Sequence, residues 1–381
     1  MRTIIIGAGI GGLTTALALK QKGIDVAVYE RSPELTDVGA GIGLWPNALK
    51  ALYQLGLRPA LDGVSFVSME GAVRSSDGRI LSRTAADQFI ARLGLPFIVF
   101  HRADLFGVLV DAARGIPIHT GHECQDVEQD GDSATARFAN GASAKGDVMV
   151  GADGLRSVVR DRLDVPGALK YSGYTAWRGI APFETAGLMA GETLGCGQRF
   201  GIVPIHGNRV YWYATDNVPE GQREPPLAAK IRLTKLFADW HQPIPELIRS
   251  TSEDAILRND IYDRDPADRW GSGRITLLGD AAHPMTPNLG QGACQAIEDA
   301  LVLAHHLSTG PDVSSSLRCY EAERIARTGS VVIASRRIGA LFQVESRAFG
   351  RFRDLALRLM PVEMNYRSLK PLAGYEGHLK R

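Results

Sequence analysis

The chain of 381 residues has few cysteines and scatters them: Cys124, Cys196, Cys294 and Cys319 form no C-x-x-C pair. That spacing argues against a structural zinc site or a redox-active dithiol, and it suits a reducing cytoplasm. An excess of charge is also missing. Lys and Arg total 43 against 42 Asp and Glu, a formal net charge of +1, so there is no global electrostatic footprint for nucleic acid. No apolar run is long enough to span a bilayer. Met1, Arg2 and the apolar residues after them could pass for a short signal peptide, but interrupting glycines favour strand, turn and helix instead. Neither an internal repeat nor a low-complexity segment is present. What remains, 45% hydrophobic and 22% charged, is an ordinary globular composition, and the length fits two or so lobes.

The first thirty residues hold a complete nucleotide-binding β-α-β unit. Residues 3–6 predict a buried strand, 7–12 a tight glycine turn, 13–20 a helix and 25–30 a second strand. Gly7 allows the turn, Gly9 admits a pyrophosphate close to the backbone, and Gly12 lets the helix pack on the strands. The helix N-terminus then turns unpaired N–H groups toward the phosphates. Glu30, with Arg31 after it, ends the second strand, where a carboxylate accepts from ribose hydroxyls.

A glycine-dense connection, Val38 to Asn47 with Gly39, Gly41 and Gly43, follows and leads into a helix over 48–55. Such backbone can lie against a flat ligand. Short β-like segments reach Phe100, and Arg102 sits near the start of a helix to about Ala113, where it could pair with phosphate or with a surface acid. Asn140-Gly141 predicts a hairpin, residues 147–150 a buried strand ending in Asp153-Gly154, and 155–162 a helix. Strands of a different, antiparallel sheet are predicted over 171–183, 199–205 and 209–216, with Gly207-Asn208 as a turn. Alternation puts Tyr211 and Tyr213 on one face, as a substrate cover or as core, and Trp212 on the other. Helices with proline breaks occupy 225–250. A last buried strand, 274–278, runs into Gly279-Asp280, His283, Pro287, Leu289, Gly290, Gln291 and Gly292, and then a small-residue helix to Leu307. Its N-terminus is a second anion-stabilising end, which suits a long cofactor held at both ends.

With these stretches the chain resembles the single-component FAD-dependent aromatic hydroxylases, typified by salicylate and para-hydroxybenzoate hydroxylases, from about residue 2 to 330. Gly7, Gly9, Gly12 and Glu30 match the ADP fingerprint of that family. Asp153, Gly154, Arg156, Ser157 and Arg160 match its Asp-Gly motif, associated with both FAD and NAD(P)H. Gly279, Asp280 and Pro287 match its third motif, whose acid meets the ribityl and pyrophosphate region. The resemblance implies tight, non-covalent FAD, transient NAD(P)H, and hydroxylation of a small aromatic or heteroaromatic compound with O2 through a flavin C4a-hydroperoxide. It also implies that Arg102 contacts FAD, that Gly41 to Gly43 lie against the isoalloxazine, that Pro287 borders the pocket, and that the amides near Leu289, Gly290 and Gln291 stabilise the reduced ring. His283 is expected to shape the cofactor loop rather than act as a base. Some relatives carry histidine where this chain has Gly43, which puts a phenol-deprotonating base, and a salicylate-like substrate, in doubt. No second G-x-G-x-x-G follows a strand. The alternatives are a flavin reductase or dehydrogenase without oxygen transfer, and a non-catalytic FAD-binding regulator.

The expected fold class is α/β: a Rossmann-like FAD-binding domain with an inserted antiparallel-sheet substrate domain and a C-terminal helical segment. The FAD-binding domain is placed at 1–70 with 98–170 and 270–330, the substrate domain at 71–97 with 171–269, and the helical segment at 331–381. Pro287, Tyr211, Tyr213 and Gly43 are the pocket candidates. A cytoplasmic monomer or homodimer is expected, with no nucleic-acid partner. From Arg336 onward Arg337, Arg347, Arg351, Arg353 and Arg358 interleave with Phe342, Phe349, Phe352 and Leu357. Such a basic amphipathic stretch either packs across its own protein, the more common outcome, or lies on a membrane or an apolar partner.

Overall fold

The structure is a computed structural model that describes residues 1–36, 39, 41–67 and 70–374. Val38 and Ala40 of the glycine-dense connection, and residues 375–381 of the C-terminal segment, lie outside the described residues.

Five parallel strands form the first sheet. Arg2–Ile6 lies at its centre, flanked by Asp25–Tyr29 and then Ile118–His119 on one side, and by Val148–Gly151 and then Ile275–Leu277 on the other. Apart from the two-residue edge strand Ile118–His119, these strands are buried on both faces beyond their first residues, so they read as continuous apolar runs instead of alternating ones. In register, Ile6 stands beside Tyr29 and Gly151, and Gly151 beside Leu277. The segments that follow therefore all leave from one carboxyl edge, and the chain switches side at the central strand, which opens a crevice there. Helix Ile10–Gln21 packs on this sheet and against helix Gly292–Thr309.

A second, seven-stranded sheet runs in the order Leu257–Asp263, Lys170–Pro182, Arg209–Asp216, Gln198–Ile205, Ala190–Leu194, Glu70–Ser75, Ile80–Ala85. All its pairs are antiparallel except Ala190–Leu194 with Glu70–Ser75. Period-two alternation sends Trp177, Phe200, Ile202 and Trp212 into a core with helices Pro226–Leu236 and Ile244–Ser250. There the Trp212 indole donates to Thr251 Oγ1 at 2.8 Å. The opposite face carries Arg178, Arg199, Tyr211 and Tyr213, as cross-strand pairing requires.

Three local expectations need correction. Part of the glycine-dense connection is a strand, Gly41–Leu44, paired antiparallel with Ile98–His101. Residues 86–93 form a helix, not a β-like segment, with Phe89 and Leu93 buried one turn apart and Gly94 at its left-handed end. The helix predicted over 155–162 spans only Val158–Arg162, because Ser157 caps it by accepting from the Arg160 N–H at 2.9 Å. The C-terminal portion is helical: Val313–Phe342, which runs unbroken through position 331, then Arg347–Leu359 and Val362–Ala373. No helix among the described residues is long and apolar enough to cross a membrane.

Candidate cofactor and substrate site

At the carboxyl edge of the parallel sheet the glycine turn closes on its neighbours. A Cβ at Gly7 would collide with Ala152 O and one at Gly12 with Gly7 O, so the turn tolerates glycine alone at both places. Gly9 is the N-cap of the first helix and has nothing within 4 Å of where its Cβ would lie, which leaves room for a ligand at the open N-terminal amides. Both Glu30 carboxylate oxygens are engaged: Oε2 accepts from Ala8 N–H at 2.7 Å and Oε1 from Ser32 N–H at 2.9 Å. The acid thus braces the glycine turn, and each oxygen keeps a second lone pair for a hydroxyl. Arg31 is exposed just beyond it.

Asp153 and Gly154 follow the neighbouring strand. The Asp153 carboxylate turns inward, accepting from Ser157 Oγ at 2.5 Å and Val159 N–H at 3.2 Å. Burial pushes its carboxyl up, and these hydrogen bonds oppose the push. Gly154, with φ +78°, takes the turn that starts this cap. Arg160, only 1% exposed, donates from Nη1 to the carbonyls of Ala281 and Ala282, both at 2.9 Å, and from Nη2 to Pro166 O. Burial lowers its guanidinium to about 10, so it stays charged at neutral pH. One buried cation therefore ties the Asp153-Gly154 segment to the backbone just after Asp280.

Asp280 lies just past the carboxyl end of the edge strand Ile275–Leu277, in the 3-10 turn Gly279–Ala281. Solvent reaches its side chain, while protein crowds the surrounding space enough that burial pushes its carboxyl up, against the charges of His283 and Arg102. His283 is 3% exposed and its Nε2 pairs with Asp299 Oδ2 at 2.6 Å. Asp299 also accepts from Gly279 N–H at 3.1 Å and from Arg324 Nε at 2.6 Å. Burial works against the Asp299 charge, yet His283 and Arg324 hold its carboxyl down to about 2.

The loop continues through a short 3-10 turn, Pro287–Leu289, to Gly290 and to Gln291, the N-cap of the helix that begins at Gly292. Pro287 and Gly290 are exposed, whereas Gln291 is buried. Trp45 Nε1, Asn47 Oδ1 and Gln291 Nε2, gathered at this end, are buried without a hydrogen-bond partner among the described residues. Buried polar atoms are normally paired. The open helix end and these three atoms fit the polar edge of a flavin ring, just as the first helix end and Glu30 fit the adenosine diphosphate half. Arg102 opens helix Arg102–Ala112 and lies across Gly39, and its charge acts on both Tyr211 and Asp280.

The seven-stranded sheet faces this loop. The Tyr211 ring fills the space beside Gly41, and the Phe97 ring fills the space a side chain at Gly43 would need. Tyr211 and Tyr213 lie with ring centroids 6.1 Å apart. Burial raises the hydroxyl of Tyr211, and that of Tyr213 rises well above its ordinary value because Glu192 adds to burial. Both are therefore hydrogen-bond donors at neutral pH. Sequence reasoning missed Arg199, which is 2% exposed on the same face. Its guanidinium contacts Glu192 at 3.2 Å, donates to Gln343 Oε1 at 2.7 Å and to Asn288 Oδ1 at 2.7 Å, and Tyr174 donates to the same Asn288 oxygen at 3.1 Å. Burial opposes the Arg199 charge, but Glu192 and the surrounding tyrosines outweigh it and raise the guanidinium. An arginine beside buried Phe200, ahead of the apolar run to Ile205, was the available signal.

Comparison with known proteins gives the same answer. The FAD binding domain family matches residues 1–335. The chain is 40% identical over 362 residues to an aurachin C monooxygenase/isomerase of Stigmatella aurantiaca, covering 94% of each protein. It is 36% identical to a 3-amino-4-hydroxybenzoate 2-monooxygenase of Streptomyces cremeus, covering 90% of this chain and 88% of that protein. The solved structure of Klebsiella pneumoniae HpxO with FAD and uric acid superposes with a TM-score of 0.93 at 32% identity, over 99% of this chain and 98% of that one. The match from the glycine turn through the Gly279-Asp280 loop places the chain in the FAD binding domain family, among the FAD-dependent aromatic monooxygenases.

Proposed function

We propose that the substrate is a neutral, electron-rich aromatic or heteroaromatic ring, held between Tyr211, Tyr213 and the Pro287 to Gly290 loop, and that it is oxygenated without help from a protein base. The observation that carries this reading is the Phe97 ring in the space beside Gly43, where some relatives place a histidine. The other polar groups on that face do not supply a base. Tyr211 and Tyr213 keep their protons, and Glu192 is already paired with Arg199. Arg199 in turn pairs its charge with Glu192 and gives two further N–H groups to Asn288 and Gln343, so an anionic ring such as a carboxylate would find its charge only partly answered. Relatives named for 3-amino-4-hydroxybenzoate and for urate support the nitrogen or oxygen substituents of the ring and not its neutrality, which rests on the engaged Arg199, since both of those compounds are anions at neutral pH.

Bound FAD supplies reduction by NAD(P)H and the activation of O2. The protein supplies the rest. Gly9 and the helix end behind it receive the pyrophosphate, Glu30 and Asp280 receive hydroxyls of the cofactor chain, and Arg102 places positive charge between Asp280 and the ring pocket. The N-terminal amides at Gln291 and Gly292 stabilise negative charge on the ring edge. The aromatic walls exclude water from the reacting centre. We assign residues 1–70, 98–170 and 270–330 to the cofactor unit and 71–97 with 171–269 to the substrate unit. The four free cysteines suit a reducing cytoplasm.

A screen of small aromatics for stimulated NAD(P)H oxidation by the FAD-loaded protein tests this reading. Hydroxylated or amino-substituted neutral rings should stimulate more than benzoates. Stimulation confined to carboxylate-bearing phenols, with a rate that rises through an ionisation near neutral pH, would overturn it.

A further inference from the structure

Helix Arg347–Leu359 presents to solvent the face that such a helix ordinarily buries. Toward the protein it turns Gly350, packed on Cys196, and Arg353, which is 3% exposed. Arg353 donates to Gly195 O at 3.1 Å and Phe342 O at 3.3 Å and pairs with Asp354 at 2.8 Å. Away from the protein it carries Phe349, Phe352, Leu355 and Leu359, which are 49%, 66%, 51% and 72% exposed. Met360 and Met364 extend the same apolar surface past Pro361. Rolling the helix over to bury the phenylalanines would strand the Arg353 charge, so the outward face is fixed by the contacts beneath it.

Charge accompanies this stripe. Arg347, Arg351 and Arg358, spaced i, i+4 and i+11, fall along one edge of it, and all three are exposed. Residues 346–373 hold six basic and two acidic side chains, and both acids are engaged, Asp354 with Arg353 and Glu363 with Arg92 at 2.9 Å. An open pocket of about 210 Å³ beneath the helix is lined in part by Ser76, Cys196, Arg347 and Arg351. We propose that this face docks the protein on the surface of an anionic lipid bilayer, with the apolar stripe in the headgroup boundary and the arginines on lipid phosphates. The docking is peripheral, since no helix among the described residues is long and apolar enough to cross a membrane. It is independent of which ring the substrate pocket accepts.

The test is co-sedimentation of the full FAD-loaded chain with vesicles of phosphatidylcholine alone and of phosphatidylcholine mixed with phosphatidylglycerol, at low and high salt. The protein should partition onto the anionic vesicles, weakly onto the neutral ones, and less at high salt. The pair Arg351→Gln and Arg358→Gln should lower partitioning about fivefold per arginine, and the pair Phe352→Glu and Leu359→Glu should abolish it. FAD content and NAD(P)H oxidation should stay unchanged in both, showing that the variants fold. Absence of binding to either vesicle, or equal binding by wild type and variants, would overturn the proposal. So would light scattering that shows a dimer dissociated by Phe352→Glu with Leu359→Glu, which would make the face a contact between copies.

Discussion

Replacing Arg160 by methionine separates a cofactor-positioning role from simple core packing. The substitution keeps a similar length of chain but removes three donated hydrogen bonds, two of them to the carbonyls of Ala281 and Ala282 directly after Asp280. A hydrogen bond to a charged group is worth about 1.5 to 3 kcal/mol. Against this, methionine relieves the burial that already lowers the guanidinium to about 10, so a net destabilisation of about 2 to 4 kcal/mol is expected. The part of the loss that falls on the Ala281 and Ala282 carbonyls loosens the loop that presents Asp280. FAD must then order that loop on binding, which costs roughly 1.5 to 3 kcal/mol, or roughly ten- to hundredfold in affinity. Fluorescence titration of apoprotein with FAD gives the affinity, and urea unfolding of the apoprotein gives the stability. Arg160→Lys keeps the charge without the fork and should fall between the two. A variant that loses stability but binds FAD with unchanged affinity would refute the link between the two segments.

Three further outcomes follow from the same geometry. Glu30→Ala should weaken FAD by about 1.5 to 3 kcal/mol, since the carboxylate braces Ala8 and is proposed to receive a ribose hydroxyl; unchanged affinity by titration would remove it from the site. Asp280→Ala should impair FAD binding more than His283→Ala, whose ring is turned into the protein onto Asp299; loss of turnover in His283→Ala with FAD fully bound would instead make the histidine catalytic. The folded-state carboxyl of Asp299 is held at about 2, below its unfolded value, so its stabilisation is complete above about 4 and is lost as pH falls toward 2. Urea unfolding across that window should show the loss in wild type and a flatter dependence in Asp299→Asn; identical slopes would contradict the assignment.

Local chemistry announced much of this fold. The strand, turn and helix at residues 2–21 declared themselves because glycines at close contacts and buried apolar runs leave few alternatives, and the Gly207-Asn208 hairpin because both residues need positive φ. The strand Gly41–Leu44 stayed hidden because its pairing with Ile98–His101 is a tertiary choice that its glycines do not signal. Helix Ala86–Leu93 did offer a signal, Phe89 and Leu93 one turn apart ahead of Gly94, but it is short and lies among β-like segments. The cofactor ends of the site were legible as motifs. The Phe97 ring beside Gly43 and the Arg199–Asn288 contact were not, because Phe97, Arg199 and Asn288 come from three distant segments whose meeting depends on how the two sheets face each other. Arg160 was visible as a motif residue, though nothing in its spacing revealed that its partners would be carbonyls more than a hundred residues away.

The central claim is that O2 enters the substrate, and isotopic labelling tests it most directly. Once a stimulating aromatic compound is found, the FAD-loaded protein is incubated with it, NAD(P)H and ¹⁸O2, and the product is analysed by mass spectrometry. A single nucleotide-binding motif and a pocket walled by aromatic rings predict slow NAD(P)H oxidation without substrate, strong stimulation with it, and one labelled oxygen atom in the product. An unlabelled product, with all consumed O2 recovered as hydrogen peroxide, would contradict the account and leave a reductase or oxidase in its place.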